Sequence, residues 1–123
     1  MLTQINPRMF DFQKLEVYIK AREFHISCKA ILSKTKYERY VKDQLSRASY
    51  SVVLNIAEGS AKQTKPDRKN FFTTSRGSVF ECVAILDILY HENNISENDF
   101  IHSLKLADEI SRILFTMIKN LNQ

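Results

Sequence analysis

What this chain has least of is material for turns: two glycines and two prolines in 123 residues. Tight hairpins draw on glycine for positive φ and on proline for a fixed φ, so long helices joined by few links are expected, and strands are not. Cys28 and Cys82 stand alone and fall at apolar helical positions, which predicts buried free thiols in a reducing compartment, not a disulfide or a zinc site. No apolar run approaches the ~20 residues of a membrane span. No signal-peptide pattern opens the sequence, so a cytoplasmic protein away from the membrane is expected. Glycine-rich phosphate cradles are missing too, since Gly59 and Gly77 are isolated. No glutamate is followed three residues later by histidine, the spacing that helical carboxylate di-metal sites require; the near miss, Asp99 to His102, sits at a helix start where Asp caps. Helical nucleases of the HEPN type place a histidine five to seven residues after an arginine, whereas His25 follows Arg22 by three. The expectation is no catalytic residue, no metal and no cofactor.

What is present fits one domain with a single core. The net charge of +4 and pI of about 9.1 tolerate an anionic partner without demanding one, because only clustered charge makes a footprint. Residues 1–11 show no period and contain Pro7, which reads as an N-terminal tail; residues 12–123 read as a four-helix bundle domain. Asp11 is placed to cap a first helix over Phe12 to Ser33, with an apolar arc at Val17, Ala21, Phe24, Cys28 and Ile31. A second arc, Leu15, Ile19, Ile26 and Ala30, lies well around the cylinder and asks for another neighbour. Glu16, Lys20, Glu23 and Ser27 read as a solvated stripe, and Tyr18, Arg22, His25 and Lys29 as a second polar one.

After a basic link, the second helix is expected from Val41 to Ala61, its seam formed by Leu45, Ala48, Val52, Ile56 and Gly59. Thr64 with Asp67, and Pro66 in the first turn, mark the start of a third helix over Pro66 to His91. Its two seams, one through Phe71, Ser75, Cys82 and Leu89 and one through Phe72, Val79 and Leu86, leave little polar circumference once Ala84 and Ile88 are added. Such a helix is central or is wrapped by a neighbouring subunit. Asn93 and Asn94 make the next turn, and Ser96 with Asp99 caps a fourth helix reaching Leu121, with Lys105, Glu109, Arg112, Thr116 and Lys119 as its wet face. An all-α, up-down-up-down antiparallel four-helix bundle follows.

Two features carry functional weight. The first is a polar strip: Gln44, Arg47, Ser51, Asn55 and Glu58 fall on one side of the second helix, and Arg76, Ser78 and Glu81 are the polar groups of the third. It reads as a buried network in which Arg47 and Arg76 are neutralised by Glu58 and Glu81, with Asn55 and Ser78 supplying hydrogen bonds. The second is the loop between these helices, where Lys62, Lys65, Arg68 and Lys69 place four cations within eight residues. Tyr37, Tyr40 and Phe72 lie near the basic segments and are candidates to stack on single-stranded bases, although Phe72 also suits the core.

The run Asn55-Ile56-Ala57-Glu58-Gly59-Ser60, the basic loop, and Arg76-Gly77-Ser78 with Glu81 resemble the 23S rRNA intervening-sequence protein family, also called four-helix bundle protein. Phe12-Gln13-Lys14-Leu15-Glu16-Val17-Tyr18 with Ala21-Arg22, and Leu45-Ser46-Arg47-Ala48, match its other signatures; Leu54 and Ser49 depart from it. The resemblance implies a cytoplasmic bacterial protein whose bundles assemble into rings, commonly homopentamers. It also implies a relation to the accessory variability determinants of diversity-generating retroelements, which bind nucleic acid and a reverse transcriptase. Asn55, Glu58, Arg76, Ser78 and Glu81 are the family's shared polar positions and are not read as catalytic. The functional expectation is a non-enzymatic oligomeric scaffold or adaptor with nonspecific RNA or DNA binding through basic loops. A protein-only interaction module is the alternative, and a small-molecule site lined by the Arg/Glu/Asn strip a third reading.

Overall fold

The computed structural model describes residues 5–34 and 36–123. A 3₁₀ turn, Asp11–Lys14, leads into four helices: α1 (Glu16–Lys34), α2 (Arg39–Ala61), α3 (Lys65–His91) and α4 (Glu97–Leu121), with no strand among the described residues. Of the expected N-terminal tail, residues 1–4 lie outside the described part, as does Thr35 in the link between α1 and α2.

The first helix does not start where Asp11 was expected to cap it. Phe10 N–H donates to Gln13 Oε1 at 2.8 Å and Gln13 Nε2 donates to the Pro7 carbonyl at 2.7 Å, so Gln13 satisfies the turn and Asp11 has no capping role. Leu15 then adopts an extended conformation (φ −67°, ψ 130°) and separates the turn from α1. The other starts follow local chemistry. Thr64 Oγ1 accepts from Asp67 N–H at 3.3 Å and Ser96 Oγ from Asp99 N–H at 3.1 Å, each satisfying one otherwise orphaned helix donor. Helix α2 begins at Arg39, two residues ahead of the expected Val41, after an extended Glu38. Asn93 takes φ of 62°, a left-handed conformation that Asn tolerates better than most residues, and so turns the chain from α3 toward α4.

Each helix packs on two others: α1 on α2 and α4, and α3 on α2 and α4. Lys20 with Glu109, Ser27 with Ser103 and Lys34 with Asp99 join α1 to α4. Along α2 and α3, Gly59 lies on Phe72, Ser75 Oγ donates to the Val52 carbonyl at 2.8 Å, and Ser51 and Ser78 hydroxyls meet at 2.9 Å. Between them the helices enclose Phe24, Leu45, Ile56, Phe72, Leu86, Ile110 and Leu114, all fully buried. The expected seams of α1 and α2 are all in this core, as are Cys28 and Cys82.

Two of the expected wet stripes are wet only in part: Glu16, Glu23, Lys105, Arg112, Thr116 and Lys119 are exposed, and the other members are not. Lys20 and Ser27 of α1 face α4, and Glu109 of α4 turns inward to meet Lys20. Their hydrogen bond raises the Lys20 pKa and lowers that of Glu109, against an opposing partial desolvation. On the other flank of α1, His25 Nδ1 lies 2.8 Å from the buried Ser49 hydroxyl, which is 3.2 Å from the Ser46 carbonyl. Both bonds form together when Nδ1–H donates to Ser49 and Ser49 donates onward. Partial burial, and secondly Lys29, lower the His25 pKa, so the neutral ring is favoured.

Most of the second apolar arc is uncovered among the described residues: Ile26 is 59% exposed, Leu15, just ahead of α1, 36%, and Ala30 is open, whereas Ile19 is half-buried. Nor is α3 a central helix of the single bundle, since Phe80 and Ile88 are 59% and 57% exposed and Ala84 lies open beside them.

Candidate functional site

Part of the polar strip, Gln44, Arg47, Ser51, Ser78 and Glu81, is brought together on one groove of the bundle, but not as a buried ion-pair network. Arg47, Glu58 and Glu81 are exposed, and none of Arg47, Glu58, Arg76 and Glu81 forms an ion pair among the described residues. What holds the middle of the groove is a neutral chain: Asn55 Nδ2 donates to the Ser51 carbonyl at 2.8 Å and to Ser51 Oγ at 3.0 Å, and Ser51 meets Ser78 across the helix gap. Around it, Tyr40, Asp43, Gln44, Arg47, Ser78 and Glu81 line an open cleft of about 540 Å³. Asp43 was not singled out from sequence, and Tyr40 only as a candidate to stack on bases, because both precede the seam that defines α2. Tyr40 stands 4 before Gln44 and 7 before Arg47, and Asp43 stands 4 before Arg47; that helical spacing is the signal that could have found them.

Arg76 belongs to a different face. It points toward α4, where Nε donates to the Ser111 carbonyl at 3.2 Å and the guanidinium lies 5.1 Å from the Phe80 ring centre and 5.4 Å from that of Phe115. Its charge is accommodated by a carbonyl and two aromatic faces, which explains why no carboxylate is needed. Arg76→Ala should therefore cost about 1–2 kcal/mol, and Glu81→Ala, at an exposed and unpaired site, less than ~0.5 kcal/mol. Urea melts of the two variants check this; equal large losses would restore the buried-pair reading.

In the loop and the first turn of α3, Lys62, Lys65 and Lys69 are exposed, whereas Arg68 is half-buried with its Nε enclosed and without a hydrogen-bond partner among the described residues. Lys62 Nζ sits 5.0 Å from the Phe71 ring centre, and Lys65 Nζ donates to the carbonyl of Gln123 at 3.0 Å. The candidate stacking residues do not join them. Phe72 is buried in the core. Tyr37 donates to the Asn94 carbonyl at 2.7 Å, and Tyr40 opens α2, so both lie about 30 Å, the length of α2, from the loop. Nearness in sequence to basic residues did not translate into nearness in space, because a full helix separates the two basic segments. Among the described residues no three His, Cys, Asp or Glu side chains gather as metal ligands, and no helix is long and apolar enough to cross a membrane.

The family model described as 23S rRNA-intervening sequence protein matches residues 13–116. No curated protein matches the chain. Among solved structures, a protein of unknown function from the S23 ribosomal protein family of Bacteroides thetaiotaomicron VPI-5482, determined at 1.70 Å, is similar with a TM-score of 0.78. The match covers 84% of this chain and 98% of that one at 23% identity, a likeness of fold.

Proposed function

We propose that this chain, which belongs to the 23S rRNA-intervening sequence protein family, is a non-enzymatic, cytoplasmic scaffold whose up-down-up-down antiparallel bundles assemble into a ring, a homopentamer by the family resemblance, and touch RNA or DNA through their basic loops. The observation that carries this reading is the apolar surface the single bundle leaves open. Ile26 on α1 with Leu15 just before it, and Phe80 and Ile88 on α3, are exposed on helices whose backbones do not adjoin, and solvent is a poor neighbour for both sets. Oligomerisation also changes the weight of the loop. Lys62, Lys65 and Lys69 on one protomer are an ordinary solvated surface, but five copies with Arg68 would set about twenty cations around one ring, enough for salt-sensitive contact with phosphates and little sequence preference.

Light scattering tests the assembly and fluorescence anisotropy with short labelled RNA and DNA tests the loop. The expected results are a mass several times the 14.4 kDa of one chain, and binding at low salt that weakens by at least about tenfold toward physiological salt. Changing Lys62, Lys65, Arg68 and Lys69 together to Ser should abolish that binding while the oligomer survives. No binding at low salt, or binding unchanged in the quadruple variant, would leave a protein-only adaptor as the function. A mass of one chain would remove the ring.

A further inference from the structure

The two glycines of this chain have opposite surroundings. A Cβ on Gly59 would collide with Phe72, so the glycine is explained inside the bundle. A Cβ on Gly77 would meet nothing within 4 Å, and its φ is not positive. Glycine in the middle of an exposed helix weakens it relative to almost any other residue. Nothing within this chain requires glycine at position 77, whereas close approach of a second body would.

The chain carries a surface that fits. Along the outward side of α3, Gly77 and Ala84 are spaced 7, with Ile88 one turn further on, and on α1 the half-buried Ile19 and the exposed Ile26 are likewise spaced 7. Run in opposite directions, the two rows come into register: Ile19 falls on Ala84, and the protruding Ile26 on the bare backbone of Gly77. The same register brings Arg22 opposite Glu81. Glu81 is an exposed carboxylate without an ion-pair partner among the described residues, and Arg22 is an exposed cation that stands over the Tyr18 ring, 5.8 Å from its centre to Cζ. Size, spacing and charge are all complementary between these two faces, whereas either face against its own copy sets like on like: apolar knobs on knobs and Glu81 near Glu81.

We infer that α1 of one copy docks antiparallel on α3 of the next, Ile26 against Gly77 and Arg22 against Glu81, in a head-to-tail interface. This rests on the oligomeric reading above and names the surfaces that make it. Because the two faces differ and the backbones of α1 and α3 do not adjoin within one bundle, each copy offers one of each, as a closed ring or an open chain requires.

The test is a mixing experiment by sedimentation velocity with Ile26→Glu, which spoils the α1 face, and Gly77→Glu, which spoils the α3 face. Both positions are exposed, so each variant should keep the wild-type circular dichroism; Ala84→Glu, on the same face, replaces Gly77→Glu should that variant lose its helix signal. Each variant alone is expected to need at least about a hundredfold more protein to assemble than wild type. An equimolar mixture should form two-chain particles, because the intact α1 face of one variant meets the intact α3 face of the other. Variants that assemble like wild type, or a mixture that stays at the mass of one chain, would overturn this pairing while leaving the oligomer standing. A wild-type protein that is itself monomeric would instead remove the oligomeric reading on which the pairing rests.

Discussion

Truncating Phe72 to alanine should lower the unfolding free energy by about 3–5 kcal/mol, the largest single-residue loss expected outside the assembly interface. The ring is 1% exposed, and its edge lies where a side chain on Gly59 would be: a Cβ there would stand 2.7 Å from Cε1, 2.9 Å from Cδ1 and 3.0 Å from the Phe71 Cβ. The closeness of α2 and α3 at this level thus depends on residue 59 having no side chain. Gly59→Val should cost about 2–3 kcal/mol by overpacking, because a fully buried ring has no free direction in which to yield. The two changes should be strongly coupled. In Phe72→Ala with Gly59→Val, the valine occupies part of the space the ring vacates, so the double variant should fall short of the summed losses by at least about 1 kcal/mol. Urea denaturation of the four proteins measures the coupling. Strict additivity would show that the ring and the glycine do not share the space assigned to them.

The second large effect is kinetic. Cys28 and Cys82 are fully buried as free thiols, and burial pushes the Cys28 pKa up to about 12 and that of Cys82 higher still. For Cys82, smaller upward contributions come from Cys28 and Glu81. Since the thiolate is the reactive form, a pKa of about 12 alone reduces the reactive fraction at pH 8 by about a thousandfold relative to an ordinary cysteine, before reagent access is considered. Labelling of the native protein by a disulfide reagent should therefore be slower than that of the urea-unfolded chain by more than about a thousandfold. It should also track global unfolding, with both thiols reacting together as urea approaches the transition midpoint. One thiol labelling rapidly in the native state would mean that the core opens locally around that helix.

The apolar seams show how much a single helix can announce. Val17, Ala21, Phe24, Cys28 and Ile31 repeat with the helical period and all enter the core, as do Leu45, Ala48, Val52, Ile56 and Gly59. The second arc of α1 was legible for the same reason, and it proved to be a largely uncovered face. The strip on α2 was legible as a strip, yet its partners were not. Arg76 and Glu81 are five residues apart on α3, about 140° around the helix, so one turns to α4 and the other to the cleft beside α2. Phe80 and Phe115 were missed because neither falls on a seam; they matter only as the two rings on either side of Arg76.

By itself the sequence determined most of what depends on residues within one turn of each other, the start of α1 excepted. The caps at Thr64 and Ser96, the helical seams and the breaks between helices all rest on hydrogen bonds and side-chain neighbours three or four positions apart, and these form the same way whichever helices come together. Only the tertiary structure decided which charge meets which. Lys20 left its apparent solvent stripe for Glu109, 89 positions away, Arg76 took the carbonyl of Ser111 in place of a glutamate, and Arg47, Glu58 and Glu81 were left without ion-pair partners among the described residues. Those outcomes depend on the rotation of each helix about its own axis and on its neighbours in the bundle. A 3.6-residue period fixes the relative angles of side chains on one helix and says nothing about the angle at which two helices face each other.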